Sequence, residues 1–318
     1  MTTSNDVSRP AGVMKGAVVS MLVTATLVGT TVGRAAAADG DLDTSFGGDG
    51  RVSLSVPGAA KAVLQQPDGK ILVAGGAPNT IARYNANGTL DNAFGFGGGG
   101  ATGVGSATAE ALVRQPDGKL VVVGTETGGI VSISRFTDEG IPDPAFGESA
   151  GTRTVDLAGG ALGQSTALAL AIDAEGRFLV AGSINNGSQF RDFLVMRFTS
   201  SGALDTTFNS GGTRPGAAIT SVRSNEEDIV EGVAVQADGK IVVVGRSQGD
   251  RFAMARYNSN GTLDTSFGTG GIVFANAKVR GAGAVVIQGD GKIVVVGSRS
   301  VIDNNSTNCI NSSGNFCE

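Results

Sequence analysis

Histidine and tryptophan are absent from this 318-residue chain, and cysteine is nearly so, with Cys309 and Cys317 alone. The lack of histidine excludes a serine–histidine–aspartate triad, a histidine general base and a histidine-ligated metal. Both cysteines lie close to the C-terminus, so there is no CxxC pair and no four-thiolate cage. In an exported chain they would either close a small disulfide loop or stay as two unpaired thiols.

Basic residues are also few, with 24 Lys and Arg against 29 Asp and Glu. The first 38 residues hold three basic residues and one acidic residue, so the net charge of -5 becomes -7 without them. Nucleic-acid binding requires a basic face, and the sequence has no basic stripe or basic amphipathic helix. We therefore expect no nucleic-acid partner and, once an N-terminal signal is removed, no membrane attachment.

Glycine is the abundant residue, at 51 positions, and 41% of the chain is hydrophobic. Glycine does not recur at every third position, which excludes collagen, and the hydrophobic content excludes a disordered chain. Many small and β-branched residues with frequent glycine are typical of short strands joined by tight turns.

The N-terminus has the pattern of an export signal. Lys15 precedes the uncharged run Gly16–Gly33, and Arg34 and a series of alanines follow it. This order predicts a secretory signal peptide over residues 1–38, cleaved after Ala37 or Ala38. The alternative is a retained anchor, for which a run diluted by glycine, threonine and serine is weak. The predicted location is secreted or cell-surface.

Three blocks recur in a fixed order along the rest of the chain. The first is an apolar hairpin around an Asp-Gly or Glu-Gly turn, with its glycine at Gly69, Gly118, Gly176, Gly239 and Gly291. The second is a strand that ends in arginine followed by an aromatic residue, with the arginine at Arg83, Arg135, Arg197 and Arg256. The third is a linker of the form LDxxFG, with its aromatic residue at Phe46, Phe94, Phe146, Phe208 and Phe267.

Each repeat unit is predicted to contain four short antiparallel strands. An Asp-Gly pair between apolar runs indicates a tight hairpin, and runs such as Ile241–Val244 indicate strands buried on both faces. Sheets with two buried faces must pack between neighbours, which radial stacking achieves. We predict an all-β, β-propeller-like array of four-stranded antiparallel blades, four full and one incomplete, over residues 39–300.

The fifth unit is predicted to have its first three strands, the short strand Gly271–Phe274 among them, and no Arg-aromatic strand after Gly297. Residues 301–318 form a polar tail unlike the repeats, which is either a truncated end or a specialised cap. Two arrangements follow, a five-blade ring that lacks one strand and an open arc with an exposed edge.

The motifs LDxxFG, QPDGKIVVVG and ARYNxxGxLD resemble those of the delta-60 repeat family of bacterial surface and secreted proteins. The resemblance covers Gly40 to Gly297 and implies a β-propeller-like fold, but the family has no established biochemical activity. Three positions depart from its pattern: Pro142 in a linker, Asp173-Ala-Glu175 in a hairpin, and Asn209 in place of a linker glycine.

The recurring side chains have two interpretations. The arginines would either line an anion-binding surface or pair with linker carboxylates, and the second is favoured because a functional residue seldom needs a copy in every blade. The predicted carboxylate partners are Asp91, Asp143, Asp205 and Asp264. The recurring phenylalanines are predicted to be core residues packed between blades.

Metal binding has weak candidates. The densest acidic cluster, Glu226, Glu227, Asp228 and Glu231, is the candidate calcium or cation site, and a solvated insertion is the default interpretation. Loops such as Asn258–Asp264 offer one carboxylate each, so ordinary turn chemistry is favoured there.

The sequence favours a non-catalytic, exported scaffold that binds a protein, glycan or cell-wall partner through loops on one face. The longest insertions, Asn185–Arg191 and Arg214–Glu231, are the predicted contacts. One alternative is a truncated fragment of a longer repeat protein. Another is a secreted hydrolase or lyase that uses carboxylates or a metal, which requires acidic residues to converge on a central channel.

Overall fold

The computed structural model describes residues 41–53, 58–76, 80–103, 105–157, 165–185, 190–247, 251–274, 279–299 and 309–310. Every regular element in these ranges is a β-strand, which confirms the predicted all-β class. Within the same ranges no helix is long and apolar enough to cross a membrane. The predicted signal peptide lies outside the described residues.

The strands form consecutive antiparallel sheets, here called blades 1 to 5. Blade 1 contains β1 (Ala60–Gln65), β2 (Ile71–Gly75), β3 (Thr80–Tyr84) and β4 (Ala101–Thr102). Blade 2 contains β5 (Thr108–Arg114), β6 (Leu120–Glu126), β7 (Ile130–Phe136) and β8 (Thr152–Val155). Blade 3 contains β9 (Ser165–Ile172), β10 (Phe178–Asn185), β11 (Arg191–Phe198) and β12 (Ala217–Thr220).

Blade 4 contains β13 (Ile229–Val235), β14 (Ile241–Ser247), β15 (Arg251–Tyr257) and β16 (Ile272–Phe274). Blade 5 contains β17 (Val279–Ile287), β18 (Ile293–Arg299) and β19 (Cys309–Ile310). A single backbone bridge from β15 to β17 joins the sheets of blades 4 and 5. The described strands thus form four full blades and one incomplete blade, as predicted.

The short strand of each unit closes the preceding blade instead of opening the next one. β16 pairs with β15 of blade 4, so the prediction that Gly271–Phe274 begins the fifth unit is wrong. The reason is the path of the linker. The Asp264 amide donates to the Arg256 carbonyl and the Arg256 amide donates to the Gly271 carbonyl, each at 2.9 Å, so the chain returns alongside β15.

Blade 5 therefore begins with the long strand β17. Its third strand consists of Cys309 and Ile310, which pair with Val294 and Ile293 of β18. In the other blades an Arg-aromatic strand occupies this position. These two residues lie in the segment predicted as a polar tail. Cys317 lies outside the described residues, so the small disulfide loop stays a prediction.

The core lies between the blades. Four apolar clusters each join residues of two consecutive blades, and each contains one linker phenylalanine with no exposed surface: Phe94, Phe146, Phe208 and Phe267. The prediction of phenylalanine cores is confirmed for these four. Phe46 precedes blade 1 and is only partly buried. Interleaved burial of this kind ties each blade to its neighbours, as expected for propeller-like stacking.

The glycine that ends each apolar hairpin strand is required by a close approach of two backbones. β13 has a bulge between Val230 and Gly232, opposite Gly245 of β14. A Cβ placed on Gly245 would collide with the carbonyl oxygen of Ile229. Gly182 is held in the same way in blade 3. The motif therefore ends in glycine for lack of space, not for a positive φ.

We predict that Gly245→Ala lowers the free energy of unfolding by about 2 kcal/mol, because the methyl group forces β13 and β14 apart. Gly289→Ala is the matched control, since its Cβ would meet nothing within 4 Å and blade 4 carries Ala237 at the same position. The control is expected to change stability by less than about 0.5 kcal/mol. Urea unfolding measures both, and equal losses would contradict the close-approach explanation.

Candidate functional site

The recurring arginines are structural anchors between blades. The Arg135 guanidinium pairs through Nε with the Asp143 carboxylate at 2.9 Å and lies 4.5 Å from the centre of the Phe146 ring. Its Nη1 donates to the Ser200 carbonyl in the next blade at 2.8 Å. One side chain thus holds its own linker, packs on the core phenylalanine and bonds to the neighbouring blade.

The ion pair and the packing on the linker phenylalanine recur in every full blade, and the bond to the following blade recurs in blades 1 to 3. The pairs Arg83–Asp91, Arg135–Asp143, Arg197–Asp205 and Arg256–Asp264 have N–O distances of 2.7 to 2.9 Å. These arginine side chains are 5 to 9% exposed, so they do not form an anion-binding surface. The predicted pairing with linker carboxylates is confirmed.

A lysine from the hairpin turn adds a second cation in three blades, where it bonds to Asp91, Asp143 or Asp264. The Ser266 hydroxyl, with Lys240 and Arg256, holds the pKa of Asp264 well below its ordinary range, although burial acts in the opposite direction. The carboxylates therefore stay ionised at every physiological pH, and the anchors remain intact.

We predict that Arg135→Gln costs about 3 kcal/mol of unfolding free energy, because it removes one partner of a buried ion pair and the bond to the next blade. Arg153→Gln is the control in the same blade. Arg153 pairs with the exposed Glu148, so its loss is expected to cost less than about 1 kcal/mol. Chemical denaturation distinguishes them, and a small, equal cost for both changes would overturn the anchor role.

The four carboxylates of the predicted cation site are not brought together. Glu226 pairs with Arg223 at 3.6 Å, Glu227 with Arg191 at 3.7 Å and Glu231 with Arg246 at 3.6 Å. Among the described residues, no group of three or more His, Cys, Asp or Glu side chains is placed to hold a metal ion. The structure thus gives the calcium hypothesis no support.

Residues 186–189 of the first predicted insertion lie outside the described residues, but its last residue, Arg191, begins β11 and contacts the second insertion at the boundary of blades 3 and 4. The Asp228 amide donates to the Arg191 carbonyl at 2.8 Å, and the Arg191 amide donates to a carboxylate oxygen of Glu227 at 3.3 Å. The connection from β12 to β13 is thereby fixed against the start of β11. We name this surface the blade 3–4 loop cluster and define it by Arg191, Asp192, Ser221, Arg223 and Glu226–Asp228.

Two carboxyl groups in this cluster, those of Asp228 and Asp192, are buried in a way that disfavours their ionised form. Asp228 has no exposed surface; its Oδ2 accepts from the Val222 amide at 2.7 Å, and its Oδ1 has no hydrogen-bond partner. Burial raises the pKa of Asp228, although the nearby Ser247 hydroxyl and the Val222 and Arg223 amides oppose the rise, and the charge of Asp192 adds a smaller increase. Burial also raises the pKa of Asp192, while a hydrogen bond from Ser221 opposes this. Sequence reasoning missed Asp192, whose only signal is an aspartate within the apolar strand β11.

We predict that Asp228→Asn raises the melting temperature at about pH 7.5 but not at about pH 4. A raised folded-state pKa means that the protonated carboxyl stabilises the fold, and this contribution is lost as the pH rises through that pKa. Asparagine cannot ionise and avoids the loss. Asp290→Asn is the control, because Lys292 holds the pKa of exposed Asp290 below its usual value. An equal shift at both pH values would contradict the assignment.

A cavity lies along the innermost strands of blades 2 to 5. It has a volume of about 340 Å³ and is lined by segments of β5, β9, β13 and β17. The described lining is mostly aliphatic and has two charged residues, Arg114 and Glu231. Glu231 is its one acidic residue, so the convergence of carboxylates that the hydrolase or lyase alternative requires is not found there.

Four segments of the chain match a protein-family model. Residues 66–94, 175–208, 236–267 and 288–314 match the model described as "Domain of unknown function (DUF5122) beta-propeller". These segments are similar to the repeats of that family. They include the Arg–Asp–Phe anchors of blades 1, 3 and 4. No curated protein matches the sequence.

Solved structures resemble the chain in fold. A catalytically inactive virginiamycin B lyase from Staphylococcus aureus, with quinupristin, is 14% identical with a TM-score of 0.50 over 82% of this chain and 69% of that chain. PQQ-bound aldose sugar dehydrogenase from Streptomyces coelicolor is 14% identical, with a TM-score of 0.46 over 83% and 80%. Raptor from Chaetomium thermophilum is 12% identical with a TM-score of 0.45, and the chain spans 22% of its length. At such identities, the lyase likeness shows the fold alone.

Proposed function

We propose that this protein is an exported, non-catalytic binding scaffold whose contact surface is the blade 3–4 loop cluster. The observation that carries the proposal is the contact of Arg191 with Glu227 and Asp228, at the place where the units depart most from the repeat. The recurring arginines and aspartates are paired with each other at the contacts between blades. The cluster instead combines several charged groups, of which Arg223 and Glu227 are about 45% exposed in their side chains.

The proposed partner is a polar macromolecule, namely a protein, a glycan or a cell-wall polymer. Arg191 and Arg223 carry planar guanidinium groups that can donate two parallel hydrogen bonds to a carboxylate or phosphate. Arg223 also lies 5.1 Å from the centre of the Phe274 ring, which presents a flat cationic surface. Such Arg-aromatic surfaces are typical of binding hot spots.

Export is part of the proposal. The pattern of Lys15, the uncharged run Gly16–Gly33 and the alanines before Asp39 supports cleavage of a secretory signal. We further propose that the repeats are of the delta-60 type, because the three blocks recur in the order of that family. Sequencing the N-terminus of exported protein tests the location: a first residue of Ala38 or Asp39 is expected, and an intact Met1 contradicts it.

Binding is tested by sedimenting the purified protein with bacterial cell-wall sacculi over a range of protein concentrations. We predict saturable binding that Arg191→Ala with Arg223→Ala weakens at least about tenfold, because two hot-spot cations are lost. Lys292→Ala, which removes an exposed charge from the blade 5 hairpin turn, is expected to bind as the unchanged protein does. Unaltered binding by the double variant would refute the assigned surface, and absence of any binding would refute the cell-wall partner.

A further inference from the structure

The first blade exposes a position that blades 2, 3 and 5 bury fully and blade 4 buries in part. Val63 on β1 is 55% exposed. The same position on the innermost strand of blades 2, 3 and 5 holds Leu112, Leu170 and Val285, which are 1%, 5% and 4% exposed because each packs against the preceding blade. Ile71 on β2 is also only partly buried, whereas its counterparts in the later blades are fully buried. Within the described residues, blade 1 therefore has an uncovered apolar face.

The last described blade has the opposite face uncovered. Val296 on β18 is 58% exposed, whereas its counterparts Val123 and Val244 have no exposed surface and pack against the following blade. Val294, two residues earlier on the same strand, is partly exposed as well. Isolated surface valines are ordinary, but these lie on faces that the repeat buries everywhere else.

The two uncovered faces are equivalent to the two sides of the interface between consecutive blades. Blade 4 presents Val242 and Val244 to Val285 and Ile293 of blade 5. Blade 5 repeats the blade 4 strand sequence IVVVG without a change, so its uncovered face is equivalent to one that already receives a blade. The face of blade 1 offers Val63 and Ile71 at the two receiving positions.

The residues before blade 1 also indicate that its uncovered face is the side on which a preceding blade would pack. The Gly47 amide donates to the Asn87 carbonyl of blade 1 at 2.9 Å. The same bond joins blade 1 to blade 2, where the Gly95 amide donates to the Glu139 carbonyl at 2.8 Å. The N-terminal linker thus lies on blade 1 as the linker of a preceding blade would, and the joint continues an interface that recurs through the molecule.

We propose that a second copy of this chain covers these faces, with blade 5 of one copy packed on blade 1 of the next. A second copy supplies both required surfaces with the residue types that already pack together inside the arc. The contact joins two different patches, so it is heterologous and leaves one free face of each kind on a dimer. Further copies add to those faces as the protein concentration rises.

The test uses two variants, each altered on one face. Val63→Asp places a charge on the blade 1 face and Val296→Asp places one on the blade 5 face. Sedimentation velocity of the purified protein is expected to show association that increases with concentration, and each variant alone is expected to be monomeric. An equimolar mixture is expected to form a dimer and nothing larger, because each variant supplies the intact face that the other lacks.

Phe96→Asp is the matched control for general surface hydrophobicity. Phe96 is 80% exposed in the linker of blade 1 and belongs to neither face, so association is expected to be unchanged. A dimer in the mixture also demonstrates that both variants fold. The proposal is overturned if the unaltered protein is monomeric at every concentration, if either variant associates alone, or if the mixture stays monomeric.

Discussion

The structure depends on a buried arginine that bonds to two blades at once. In each full blade this arginine pairs with a carboxylate eight residues later and packs over the linker phenylalanine. In blades 1 to 3 it also donates to a carbonyl of the following blade. A buried charge is costly unless it is paired and hydrogen-bonded, so each anchor is stable only when both blades are in place. The repeat is cooperative for this reason.

Much of the fold could be predicted from the sequence because its signals, including the residues of the anchor, are local. Asp-Gly turns, doubly buried strands and recurrent Arg and Asp residues are local signals, and they predicted the blades, the ion pairs and four of the five phenylalanine cores. The partner of the short strand was predicted wrongly, because the choice depends on the path of the linker back along β15. The bulge opposite Gly245 was not predicted, since nothing local distinguishes a glycine required for space from one required for a turn.

At the candidate site, too, local sequence differences could be read but contacts between distant residues could not be predicted. The insertions 185–191 and 214–231 could be found by their departure from the repeat, and Arg191 of the first contacts Glu227 and Asp228 of the second. The pairing of Glu227 with Arg191 could not be predicted, because it depends on a distance across two blades. Asp192 was missed for the same reason: it becomes notable only when Asp228 lies beside it without a partner for one oxygen. The repeated residues therefore maintain the frame, and the proposed binding function is assigned to the loops because the units differ there.

Amide hydrogen exchange tests this account most directly. Gly95, Gly147 and Asn209 each donate a backbone hydrogen bond to a turn in the following blade, beside the arginine that bonds to that blade. All three lie in linker turns at the molecular edge, where isolated loops exchange rapidly. The account predicts that these three amides exchange as slowly as the central strand amides, through global unfolding. Exchange at the rate of exposed loops, with the strands still protected, would contradict it.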